Sequence, residues 1–142
     1  MQLSKNFSLE ELTVTDTGAS NVPDEAQKKK LLYVAQYLLQ PTRDQFGELH
    51  VNSGFRSEFV NEKIGGSKTS QHMEAEATDF TPRTASIVEV FNWCRHNLVY
   101  GQLILENKGG KDGVWWIHAS LPRLDKQNMM VMKYENGVYT NI

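Results

Sequence analysis

The amino-acid sequence predicts an α+β domain: a small antiparallel sheet with helices packed on it. Three observations lead there. Two segments, Asp24–Leu39 and Ala85–Asn97, repeat apolar residues at helical spacing. Several short runs rich in β-branched and aromatic residues lie between turn signals. The chain has 142 residues, 39% hydrophobic and 23% charged, which suits a single core spanning residues 1–142.

Each element has its own local reason. Ser8 precedes LEEL and is placed to cap a short helix, with Glu11 completing a capping box. TVTDTGASNVP reads as a loop. Asp24–Leu39 is the main helix, carrying Leu31, Leu32, Val34, Ala35, Leu38 and Leu39 on one side, and Pro41 follows its end. Lys28, Lys29 and Lys30 fit a solvated face of that helix. Leu49–Phe55 is a strand, Glu58–Ile64 a short helix, and GGSKTSQH a loop. Ala77–Phe80 is a short strand. Ala85–Asn97 buries Ile87, Val88, Val90, Phe91 and Cys94. Gln102–Glu106 and Trp115–Ser120 are strands joined by the turn NKGGKDG. Met129–Tyr134 and Val138–Tyr139 form a terminal hairpin around Glu135-Asn136-Gly137.

Composition excludes several classes. A net charge of −2 and a pI near 6.1 give no basis for nucleic-acid binding. No apolar run reaches membrane-spanning length. The start, MQLSKNFSLEEL, lacks the apolar segment of a signal peptide, which predicts synthesis in a host cytoplasm. Cys94 is the single cysteine, so it forms no internal disulfide, and its apolar setting marks a buried structural thiol.

The chemistry concentrates in SGFRSEFVNEKIGGSKTSQHMEAEATDF and in WWIHAS some forty residues later. The first holds His72 and Asp79, the second His118. Two histidines and a carboxylate are the ligand set of an open catalytic zinc site, with a fourth position left for water. A lone histidine is more often a satisfied, metal-free residue; the motif context outweighs that here. His72 and Asp79 are seven apart, an odd offset that points side chains to opposite faces of a straight strand. They meet only if MEAEAT bends.

These residues also carry a resemblance. FSLEELT (Phe7–Thr13), SGFRS (Ser53–Ser57), IGGSKTSQH (Ile64–His72), GQLILE (Gly101–Glu106) and WIHAS (Trp116–Ser120) stand in the order found in the zinc D-alanyl-D-alanine carboxypeptidases and related peptidoglycan endopeptidases. This is the M-fifteen peptidase family, and the phage and prophage members are the most similar. The resemblance covers nearly the whole chain. It implies the fold shared by DD-peptidases and the hedgehog signalling domain, with zinc on His72, Asp79 and His118. It implies that Arg56 binds a substrate carboxylate or the scissile carbonyl, and that Ser70 contacts substrate or orients the ligand loop. The family carries glycine where this chain has Ala75, and alanine adopts left-handed torsions only at a cost.

The general base is less plain. Some relatives place an acid three residues before the last histidine, and others a histidine two before it; here those positions are Trp115 and Trp116. Neither indole can accept a proton from water. Glu106 and Asp112 remain, and Glu106 is preferred because it ends the GQLILE strand. Strand alternation puts Trp116 with His118 on the cleft face and Trp115 in the core. Glu74 and Glu76 read as solvated or supporting residues, His50 and His96 as structural or exposed.

Two functions follow. One is a zinc peptidase acting on peptidoglycan stem peptides, with Arg56, Ser70 and Trp116 binding substrate and Arg56, Ser70 and Glu106 serving catalysis. The other is a virion component that keeps the fold for binding and associates with a phage particle. The expected place of action is the bacterial cell wall, or the virion under the second reading.

Overall fold

A six-stranded sheet organises the protein, seen in a computed structural model that describes residues 1–142. In chain order the strands are β1 (Leu49–Ser53), β2 (Ala77–Pro82), β3 (Gln102–Lys108), β4 (Val114–Ser120), β5 (Met130–Glu135) and β6 (Val138–Asn141). Their spatial order is β1-β2-β4-β3-β5-β6. Every neighbouring pair is antiparallel except β3 and β5, which run parallel. The expected antiparallel sheet is therefore mixed at one junction. The chain leaves β4 and crosses β3 through residues 121–129, so it re-enters the sheet on the far side of β3 and parallel to it.

The helices are α1 (Leu9–Leu12), α2 (Glu25–Tyr33), α3 (Gln40–Phe46), α4 (Glu58–Lys63) and α5 (Ile87–Asn97). Ser8 Oγ accepts from the Glu11 N–H at the start of α1, as expected. The capping box complete in both directions is at Asp24 and Gln27, opening α2. The main helix does not stop before Pro41. A π-helical turn, Val34–Leu39, joins α2 to α3, and the chain stays helical to Phe46. Proline removes one N–H donor from a helix. The widened turn absorbs that break, the Gln40 N–H reaching back to the Ala35 carbonyl.

Helices cover one face of the sheet. Leu31, Val34, Leu38 and Leu39 pack with Val90, Phe91 and Cys94 of α5 against Phe80, Leu103, Ile117 and Ala119 of β2, β3 and β4. Each large side chain buried this way contributes roughly 1.5–3 kcal/mol. Cys94 is fully buried, with Thr42 Oγ1 3.5 Å from its sulfur, and burial pushes its thiol up to about 11. Trp115 departs from expectation. It lies on the face opposite His118 but is only half-buried, with Lys133 Nζ 5.4 Å from its ring centre, because β4 runs beyond the helical cover there. The terminal hairpin turns at Asn136 and Gly137, both at positive φ, which matches strand twist in a two-residue loop. No helix is long and apolar enough to cross a membrane.

Candidate metal centre and its cleft

The sheet face opposite α2 and α5 carries the polar residues, and register decides which of them meet. Asp79 on β2 lies directly opposite His118 on β4. Glu106 on β3 lies opposite Trp116, two residues from His118 and hence on the same face. The register continues from Glu106 to Tyr134 on β5 and from Tyr134 to Tyr139 on β6. One row across four strands thus presents a carboxylate, an indole and two phenols beside the Asp79–His118 pair.

His72 comes from the loop between α4 and β2. Residues 71–75 form a turn, and Ala75, fully buried, takes φ +59°. That left-handed residue is the bend MEAEAT needs to bring His72 back over the sheet. Glycine shapes the approach to this loop twice. A Cβ on Gly54 would lie 2.4 Å from the Leu12 carbonyl oxygen, and one on Gly66 would lie 2.2 Å from Asn61 Oδ1. Asn61 is buried and donates to the Ser67 carbonyl, holding the IGGSKTS turn.

Three donor atoms converge. Asp79 Oδ1 is 3.2 Å from His72 Nε2 and 2.9 Å from His118 Nδ1, and one ligand atom from each residue lies within 4.8 Å of the others. The remaining ring nitrogens are engaged. His72 Nδ1–H donates to the Gly54 carbonyl at 2.7 Å, and His118 Nε2–H to Gln71 Oε1 at 2.9 Å. Such partners fix tautomer and ring orientation in metal-ligating histidines. Burial opposes ionisation of Asp79, but His72 and His118 outweigh it and hold the carboxyl well below the usual range. An ionised carboxylate and two oriented imidazoles are donors that zinc accepts.

The cleft around them has a volume of about 460 Å³. Arg56, Ser70, Trp116 and Glu106 all line it with the three donors. Glu106 Oε1 is 4.0 Å from His118 Nδ1. Burial, reinforced by the charge of Asp79 and partly offset by His118 and Arg56, pushes Glu106 up to about 7. Arg56 Nη2 donates to Ser70 Oγ at 3.2 Å, and the same oxygen accepts the His72 N–H. Ser70 therefore serves both as a turn cap and as a link between Arg56 and the ligand loop. Arg56 Nε is buried without a hydrogen-bond partner in the protein. Burial lowers the Arg56 pKa while Asp79 and Glu106 raise it; a guanidinium stays charged throughout.

Other acids stand apart. Asp112 is exposed in a 3₁₀ turn, Gly110–Asp112, and does not line the cleft. Glu74 is exposed, as are His50 and His96. Glu76 bonds Lys30 Nζ and Arg123 Nε, so Lys30 belongs to an ion pair rather than to a purely solvated face. Sequence reasoning missed Gln71, although it sits beside His72 in the SQH motif. It also missed Gln102, Arg123 and Tyr139, whose place in the cleft depends on register across β3, β5 and β6.

Residues 5–118 match a family model described as Peptidase M15. The chain belongs to that family. Comparison with curated proteins gave no match. The family match ends at His118, so it takes in α1 to β4 with all three donors, Arg56 and Glu106. Peptidase M15 members are hydrolases, and the His72–Asp79–His118 group is suited to the metal of a metallopeptidase.

Proposed function

We propose that this protein is a zinc-dependent peptidase that hydrolyses peptide bonds of bacterial peptidoglycan, of the D,D-carboxypeptidase or endopeptidase type and of phage or prophage origin. The carrying observation is the convergence of His72, Asp79 and His118 with Glu106 beside them in one cleft. His72 and His118 would hold the metal through Nε2 and Nδ1, and Asp79 through Oδ1. When bound, zinc supplies a Lewis acid that polarises a carbonyl and makes water nucleophilic near neutral pH.

The chain's own residues do the rest. Gly54 and Gln71 keep the two imidazoles aimed at one point. Glu106, with its carboxyl near 7, accepts a proton from attacking water and returns it to the leaving amine. Arg56 places paired donors for the developing oxyanion or for a terminal carboxylate, and Ser70 steadies it. Trp116 walls the cleft on the substrate side. A purely binding role on a virion has no need of a base, so Glu106 beside the cluster speaks for the peptidase.

Glu106→Gln tests the reading. The variant should keep fold and metal and lose roughly 10²–10⁴-fold in turnover of stem-peptide substrates. Arg56→Ala should lose about 10²–10³-fold, with Arg56→Lys recovering only part. Unchanged turnover in Glu106→Gln contradicts the assignment of the base.

A further inference from the structure

The cleft at the metal centre does not end at its own wall. Gln71, Gln102 and Arg123 line it and also line a second hollow of about 290 Å³, to which Lys126, Gln127 and Asn128 contribute. No acidic residue lines this hollow, and its two charged groups are cations. Arg123 is held in place: its Nε donates to Glu76 Oε2, while Lys30 takes the other oxygen at 2.9 Å. Its loop is clasped as well. Asn128 Oδ1 accepts from the Arg123 N–H at 2.9 Å, and Asn128 Nδ2 donates to the Arg123 carbonyl at 2.8 Å. Glu76 balances one of the two charges on Lys30 and Arg123. Lys126 pairs with no acid, and its neighbour Asp125 is exposed and off the lining. The loop lies beyond residue 118, where the family match ends.

We infer that this hollow is a substrate subsite for the free α-carboxylate on the glutamyl residue of the stem peptide. An arginine whose Nε is fixed leaves its terminal nitrogens for a planar anion, and Lys126 adds a mobile point charge. Gln102 and Gln127 supply amide groups that bond to peptide. The subsite rests on the peptidase reading of the adjoining cleft, and it assigns to the 121–129 loop the choice among stem peptides.

The test uses two synthetic peptides, L-Ala-γ-D-Glu-L-Lys-D-Ala-D-Ala and its counterpart with the glutamyl α-carboxylate converted to carboxamide. The zinc-loaded wild type should cleave the acid form with roughly tenfold higher kcat/KM. Lys126→Glu should lower cleavage of the acid form until the two match, and Lys126→Arg should restore the preference. Equal cleavage by the wild type, or a preference that survives Lys126→Glu, overturns the inference. If neither peptide is cleaved, the D,D-carboxypeptidase form of the reading fails, and calorimetric binding of the same two peptides then decides the subsite. Tighter binding of the acid form, lost in Lys126→Glu, sustains it; equal or absent binding overturns it.

Discussion

At Ala75 a side chain sits where its backbone prefers none. Left-handed torsions cost alanine roughly 1–2 kcal/mol. Against that stand about 0.8 kcal/mol from burying the methyl and roughly 0.4–1 kcal/mol from the smaller unfolded-state entropy of alanine over glycine. These terms nearly cancel, so Ala75→Gly should change unfolding free energy by less than about 1 kcal/mol in a denaturant titration. A loss well above that would show that the methyl packing dominates. The conflict at Ala75 was legible only through the family resemblance, since the family carries glycine at that position. The sequence could not expose Gln71, whose partner His118 is 47 positions away. Cys94 was legible from its apolar pattern alone. Burial raises its pKa from the ordinary 9.0 to about 11, so the thiolate is scarce at neutral pH while the fold holds. A disulfide-exchange reagent at pH 8 should therefore leave the native protein untouched and react at once in guanidinium. Fast reaction of the native protein would place Cys94 at the surface.

Elements were legible where period and caps agreed, and less so where the chain makes a local compromise. α5 begins one residue after its cap Ser86 and runs three residues past Cys94, the last apolar residue of its stripe; Val88, expected in that stripe, is exposed because it turns away from the buried Val90, Phe91 and Cys94. Pro41 predicts an early end to the main helix because proline usually stops one; the π-helical turn that carries the chain through leaves no periodic mark. The segment between β1 and α4 ties structure to chemistry most tightly. Gly54 lies against the Leu12 backbone while its carbonyl fixes His72. A methyl there meets backbone, which cannot swing aside as a long side chain can. Gly54→Ala should destabilise the fold by roughly 1–3 kcal/mol and weaken metal binding together. Thermal unfolding and metal titration of that variant check both; wild-type behaviour in both would detach SGFRS from the site.

The whole molecule divides its sheet between two tasks, helices on one face and chemistry on the other. The α+β class followed from element order. Strand order did not, because the parallel pairing of β3 with β5 depends on a crossing of the sheet that no local pattern encodes. The same limit hid Tyr139 and the cationic hollow, which exist only once β5 and β6 are laid beside β3. The metal donors were legible as a set because each stands in a recognisable motif, while their convergence needed the register of Asp79 with His118 and the bend at Ala75. The most direct measurement of the central claim is elemental analysis of the purified protein beside its His118→Ala variant. One zinc per chain in the wild type, lost in the variant while the fold persists, is the predicted result. A folded wild type that takes up no zinc when the metal is supplied, or a variant that holds as much as the wild type, would contradict it.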